Sequence, residues 1–178
     1  MSHPAIDKLT FSRVCLGFAV SVLCWAIYQV ADAASGYRID SCSVSTTGIS
    51  FGTYDPASTT DNKNNSGNVT ITCGTTYQTS GGTTATISLS AGNGTFAQRV
   101  MKSGTNTLNY NVYTDSAYSV IWGDAGMGSG TSNNSWAGTF DNFSTVSTPF
   151  TLYGKIPALQ YNVVPGSYSD SLTVTVTY

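Results

Sequence analysis

Few residues of this chain have side chains that could act as acids, bases or nucleophiles near neutral pH. The one histidine, His3, lies in an N-terminal segment with the features of an export signal, so the rest of the chain offers no histidine to activate a serine or a cysteine. Three lysines could in principle serve a Ser–Lys dyad, but no motif marks them: Lys63, Lys102 and Lys155. All the acidic residues are aspartates, and those outside the signal lie in turn-like contexts, where Asp commonly bonds its own backbone. We therefore predict no catalytic residue.

No segment of the sequence has the pattern of a metal site or of a phosphate-binding loop. Residues 61–65, DNKNN, are the one candidate for calcium, but they lack the regular odd-position spacing of a calcium loop and are expected to form a solvated loop. The glycine run at residues 126–130 has no following lysine and no helix, so it does not resemble a phosphate-binding loop. No metal and no cofactor is predicted.

Aromatic residues leave one binding hypothesis open. Trp136 stands in the Gly-, Ser- and Asn-rich stretch 123–142, which is typical of a long mobile connection that can include a short hairpin. Trp136 would then either fold back over the core or serve as a surface contact. Together with Tyr113, Tyr118 and Trp122, it could form a carbohydrate- or surface-binding module, because such rings combine an apolar body with a polar group.

Residues 1–33 are interpreted as a cleaved secretory signal peptide. Lys8 and Arg13 precede an apolar run of about fifteen residues, 14–28, and Ala31 and Ala33 fit a small-residue cleavage site. That run is short against the ~20 residues of a membrane-spanning helix. We expect one mature domain, residues 34–178, that is exported and has no membrane span.

Cleavage would leave two cysteines, Cys42 and Cys73, in an oxidising compartment, where they are expected to form one disulfide. A disulfide closing a loop of this size contributes roughly 3–4 kcal/mol. The mature segment carries five basic residues and seven aspartates, a net charge of 5 − 7 = −2 that gives no basis for binding nucleic acid.

The elements that would position these residues are predicted to be strands throughout. Short apolar–polar alternations recur between Gly, Asn, Ser and Asp clusters, and no helical periodicity appears after the signal. They are predicted at 42–45, 48–52, 67–73, 83–92, 107–115, 118–124, 148–158 and 172–178. Pro157 is expected to end the seventh of them. This pattern predicts an all-β sandwich or barrel.

The last predicted strand has the clearest alternation. Leu172, Val174, Val176 and Tyr178 would lie on one face and the intervening threonines on the other. By itself, the pattern fits an ordinary, fully paired strand of a complete sandwich.

Three segments together resemble the spore coat protein U domain family. They are CSVSTTGISFGTYDP at 42–56 followed by GNVTITC at 67–73, RVMKSGTNTLNYNVYTDSAYSVIWGD at 99–124, and LYGKIPALQYNVVPGSYSDSLTVTVTY at 152–178. The family includes subunits of archaic chaperone–usher pili, which support bacterial adhesion and biofilm formation. The resemblance implies an immunoglobulin-like β-sandwich lacking its last strand, and a disulfide between Cys42 and Cys73. It also implies export through the periplasm to the cell surface, or secretion.

The resemblance also implies partners: a periplasmic chaperone that lends a strand, an outer-membrane usher, and a neighbouring subunit whose N-terminal extension replaces the chaperone strand. The last strand would then border an acceptor groove, with Leu172, Val174, Val176 and Tyr178 along its edge. The chain's own donor segment would contain Tyr37 and Ile39, which is short for filling such a groove. A subunit that accepts without donating, and a self-contained secreted coat or matrix protein, therefore remain alternatives.

Overall fold

Nine β-strands and no helix are found in the residues that the computed structural model describes, which are 8–16, 39–75, 80–125, 131–141 and 143–178. The strands are β1 (Lys8–Leu16), β2 (Ser41–Thr47), β3 (Asn62–Gly74), β4 (Ser80–Leu89), β5 (Arg99–Ser103), β6 (Asn106–Tyr113), β7 (Asn134–Asp141), β8 (Thr145–Ile156) and β9 (Asp170–Thr177). The all-β prediction is confirmed.

The strands form two sheets that enclose one core, as in a β-sandwich. One sheet has four strands in the order β1-β9-β4-β7, and the other has five in the order β2-β3-β8-β6-β5. All pairs of strands within the sheets are antiparallel. An isolated bridge between Lys102 and Ser169 connects β5 to the residue just before β9.

Period-two alternation places the core residues. In β3 the residues Val69, Ile71 and Cys73 are buried, and in β9 the alternate residues from Leu172 to Val176 are buried. Both sheets contribute, because Ile87 and Leu89 of β4 belong to the same cluster of buried residues. Strands with one buried face and one solvated face are typical of antiparallel sandwiches.

The predicted disulfide is present at the edge of the five-stranded sheet. Cys42 of β2 lies in register with Cys73 of β3, their sulfurs are 2.07 Å apart, and the two residues are 2% and 0% exposed. The crosslink therefore joins neighbouring strands and also contributes apolar surface to the core.

Several predicted elements differ from the observed ones. Residues 48–52 form no strand, although Ile49 is buried, and residues 118–124 contribute only isolated bridges through Ile121 and Trp122. Strand β5 was not predicted. Strand β7 occupies part of the stretch that was expected to be a mobile connection, since pairing with β4 outweighs its Gly- and Asn-rich composition. Strand β8 ends at Ile156, immediately before Pro157, as predicted.

In the described part of the chain, no helix is long and apolar enough to cross a membrane.

Candidate functional site

Strand β9 has a different kind of neighbour on each side. On one side it pairs with β4, from the pair Thr86–Thr177 to the pair Leu89–Val174. On the other side it pairs with β1, which belongs to the predicted signal peptide. In the full chain β9 is thus an inner strand and not an open edge, and its outer neighbour comes from residues that signal cleavage would remove.

The register of β1 matches apolar residues with the buried positions of β9. Leu9 pairs with Val176, Phe11 with Val174, Val14 with Leu172 and Leu16 with Asp170. The register shifts by one residue between Phe11 and Val14. Without this bulge Arg13 would stand opposite Leu172, which is 1% exposed. The bulge therefore places valine instead of arginine opposite a core residue.

The beginning of β9 is held by a buried carboxyl group. Asp170 is 3% exposed. It accepts hydrogen bonds from the Tyr110 hydroxyl at 2.7 Å, from the Asn93 side-chain amide at 2.8 Å and from the backbone N–H of Ser171 at 2.8 Å. The backbone N–H of Asn93 donates a further bond at 3.1 Å. These bonds tie β9 to the turn after β4 and to β6.

Burial and the contact with Asp170 change the pKa of the Tyr110 hydroxyl. Burial of its hydroxyl and the adjacent Asp170 carboxyl group both disfavour the phenolate, so the pKa of Tyr110 is raised above its usual value. Tyr110 therefore stays protonated and remains a hydrogen-bond donor to Asp170.

A buried arginine organises the neighbouring turns. Arg99 is 0% exposed, and its guanidinium donates to the Ser90 carbonyl at 2.8 and 3.0 Å, to Asn111 Oδ1 at 2.6 Å and to the Trp122 carbonyl at 2.6 Å. Burial lowers the pKa of Arg99 from its usual value. We did not single out this residue from sequence, although the alternation Arg99–Met101 in β5 was a signal that it shares the core face.

An apolar cavity of about 890 Å³ opens beside the segment that leads into β9. Its lining includes Ile49, Phe51, Tyr54, Leu108, Val163 and Tyr168. The Tyr54 hydroxyl donates to the Pro157 carbonyl at 2.8 Å and accepts from the Gln160 N–H at 3.2 Å, which fixes one wall of the cavity to the segment after β8.

The structure separates the aromatic residues that were grouped from sequence. Trp136 is 1% exposed and its indole N–H donates to Thr148 Oγ1 at 2.9 Å. Of the two alternatives given for it from sequence, it therefore packs over the core, and the possible surface contact is not observed. Trp122 is also buried, and donates to the Ile87 carbonyl at 2.8 Å. Tyr113 and Tyr118 are half-buried with ring centroids 5.8 Å apart. These four residues therefore do not form one exposed surface.

The predicted donor segment is only partly within the described residues. Ile39 is partly buried and packs against the chain's own core, and Tyr37 lies outside the described residues. Tyr178, at the end of the predicted acceptor edge, packs against the core beside the buried residues of β9.

The residues considered from sequence as possible metal ligands or as partners of a Ser–Lys dyad lie apart from one another in the described ranges or engage neighbouring side chains. Within the described ranges, no three His, Cys, Asp or Glu residues are close enough together to hold a metal ion. Residues 62–65 of the expected solvated loop instead begin β3. Asp61 precedes the strand, with its Oδ2 3.9 Å from Lys155 Nζ. The amino groups of Lys63 and Lys155 lie over tyrosine rings, at 4.9 and 5.1 Å from the ring centroids of Tyr118 and Tyr113.

Comparison with known proteins identifies the family. The family model described as Spore Coat Protein U domain matches residues 31–175, most of the chain. The chain belongs to the spore coat protein U domain family. No curated protein matches it. Membership in this family is consistent with an exported structural subunit of the chaperone–usher pilus type, and the disulfide fits a periplasmic or extracellular location.

Proposed function

We propose that this member of the spore coat protein U family is a non-catalytic, exported subunit of a surface pilus, and that its β9 edge accepts a strand from another polypeptide. The observation that carries the proposal is the pairing of β9 with Lys8–Leu16, a segment with the features of a cleaved signal. A periplasmic chaperone would supply the strand first and a neighbouring subunit would supply it in the fibre, supporting adhesion and biofilm formation.

Signal cleavage after Ala33 would remove β1 and leave β9 at the border of its sheet. The backbone N–H and C=O groups that pair with β1 would then lack partners, and unpaired strand edges favour the addition of another strand. Leu172, Val174 and Val176 would lie beside the new opening. In strand addition the backbone ladder provides affinity, and the alternate side chains provide specificity.

Three further features support a structural role over an enzymatic one. Two ionisable side chains of the core, Arg99 and Asp170, are engaged in hydrogen bonds that fix turns and strands. The aromatic residues expected at a binding surface include two that are buried, Trp122 and Trp136. The Cys42–Cys73 disulfide staples β2 to β3, which suits a domain that must survive outside the cell.

The experiment compares residues 34–178, with the disulfide intact, alone and with peptides that can form a strand. We expect the domain alone to associate or to unfold at low temperature. A peptide with apolar residues at alternate positions should produce a stable one-to-one complex, detected by light scattering and thermal unfolding. A peptide of the same composition in scrambled order is the matched control.

A domain that is monomeric, unfolds cooperatively and gains no stability from any strand peptide would contradict the proposal. That outcome would favour a self-contained coat or matrix protein, in which the β9 edge needs no partner. Genes for a chaperone and an outer-membrane usher next to this gene would support the pilus role independently of the peptide experiment.

A further inference from the structure

Strand β1 is an intramolecular occupant of the site that the proposed function assigns to a partner. Strand addition needs an extended segment with apolar residues in register with the buried positions of β9. The chain supplies such a segment itself, because Leu9, Phe11 and Val14 stand opposite Val176, Val174 and Leu172. Each of these three positions of β9 is at most 2% exposed.

The bulge in β1 makes this match specific. The positively charged residues of the N-terminal segment are Lys8 and Arg13. Lys8 pairs with Thr177, a half-buried residue at the end of β9, and Arg13 falls in the bulge, outside the described pairs. Apolar residues of the segment therefore pair with the core-facing positions of β9, whereas Lys8 and Arg13 do not pair with any of these positions.

We infer that the N-terminal segment is a self-capping strand: while it remains attached, residues 8–16 occupy the β9 edge, and cleavage makes that edge available to a partner. This inference rests on the proposed function, because it assigns the same edge. It adds the identity of the strand that binds, residues 8–16, with its antiparallel orientation and its register. It also makes removal of the signal the step that permits assembly.

The direction of the β9 backbone groups provides a direct test. Thr173 faces β4, because its carbonyl accepts from the Ser90 N–H at 2.9 Å and its N–H donates to Ser90 Oγ at 2.9 Å. Backbone groups of successive strand residues face opposite sides. The amides of Leu172, Val174 and Val176 consequently face β1, while those of Thr175 and Thr177 face β4.

Amide hydrogen exchange, followed residue by residue by NMR, measures the amides that face β1 and those that face β4 in one sample. The full chain 1–178, refolded in vitro with Cys15 and Cys24 changed to serine, should protect the amides of residues 172, 174 and 176. Phe11→Asp should lower the protection of these three amides by about a hundredfold or more, toward that of an open edge. The amides facing β4 should keep most of their protection.

Matched controls use neighbouring residues of β1. Thr10 pairs with Thr175, a half-buried residue between the core-facing positions, so Thr10→Asp should leave exchange nearly unchanged. Val14→Asp, opposite Leu172, should reproduce the effect of Phe11→Asp at a second position. A peptide of residues 8–16, with Cys15 as serine, should restore the protection when added to residues 34–178.

The outcomes separate this inference from the proposed function. If other strand peptides stabilise residues 34–178 but residues 172, 174 and 176 exchange rapidly in the full chain, self-capping is wrong and strand acceptance stands. If Phe11→Asp and Thr10→Asp have equal effects, the register is wrong and self-capping fails. If residues 34–178 alone protect all the β9 amides as a monomer, both proposals fail.

Discussion

The hydrogen bond between Tyr110 and Asp170 links β6 to the start of β9, and removing it should measurably destabilise the fold. Tyr110 is 1% exposed and Asp170 is 3% exposed, so water cannot replace the lost bond. Tyr110→Phe removes only the hydroxyl that donates to Asp170 Oδ2 at 2.7 Å. The ring that packs in the core is retained.

The expected loss follows from the remaining contacts of Asp170. After the change, its carboxyl group still accepts from the Asn93 side chain and from the Ser171 N–H. The loss should therefore equal one buried hydrogen bond to a charged acceptor, about 2 kcal/mol. For a domain of this size, such a loss lowers the unfolding temperature by roughly 4–8 °C.

The assay is a double-mutant cycle measured by denaturant unfolding of the full chain. The variants are Tyr110→Phe, Asp170→Asn and the combination of the two. If the two side chains bond directly, the combined variant should lose less free energy of unfolding than the sum of the single losses, with a coupling of about 1–2 kcal/mol. A coupling near zero would refute the bond as a stabilising contact.

The pH dependence provides an independent check of sign. The pKa of Tyr110 is raised in the folded protein, whereas an unfolded tyrosine titrates near 10. The unfolded state therefore releases this proton first as the pH rises. The stability that Tyr110 contributes is complete below pH 10 and falls above it, by about 1.4 kcal/mol per pH unit. Wild type should lose its advantage over Tyr110→Phe above pH 10, and a growing advantage would contradict the assignment.

Three other perturbations test separate parts of the structure. Replacing both Cys42 and Cys73 with serine should lower the free energy of unfolding by about 2–5 kcal/mol. The measurement compares this variant with wild type, with and without reductant. Equal stability in all samples would show that the crosslink is not stabilising. Arg99→Met should lower the free energy of unfolding by about 3–5 kcal/mol, measured by thermal unfolding, because the carbonyls of Ser90 and Trp122 lose their donor. Arg99→Lys should recover little of this loss. Full recovery by lysine would contradict a need for several donors in fixed directions. Hydrogen bonds from the backbone N–H of Val120, and then from Ser119, lower the pKa of Asp115. The turn 115–120 should therefore keep its amide chemical shifts above the ordinary carboxyl pKa and lose them as the pH falls through the lowered value. Asp115→Asn should abolish that transition, and a variant that still shows it would contradict the assignment.

Local pattern was sufficient where a strand alternates and ends on a clear signal. Strands β3, β8 and β9 were predicted because their apolar residues repeat every second position, and β8 ends before Pro157, which cannot donate to a ladder. The disulfide was predicted because cleavage of the predicted export signal would leave two cysteines in an oxidising compartment, and the Cys42–Cys73 bond is present. None of these inferences needs information about distant residues.

Local pattern failed where a distant partner determined the result. Strand β7 reads as a loop by composition, yet it pairs with β4 along its length and carries the buried Trp136. Residues 48–52 alternate like a strand, yet they pair with no strand, and Ile49 packs in the core from a connecting segment. In both cases the free energy comes from contacts between segments far apart in sequence, which propensity does not encode.

The sequence by itself determined an exported, disulfide-linked β-protein with an alternating last strand, because those properties depend on residue type and short-range periodicity. Only the tertiary structure decided which strands are neighbours, that Arg99 and Asp170 are buried and fully engaged, and that residues 8–16 pair with β9. The physical reason is that register and burial are set by all the strands of a sheet together, so one residue's position depends on partners across the chain.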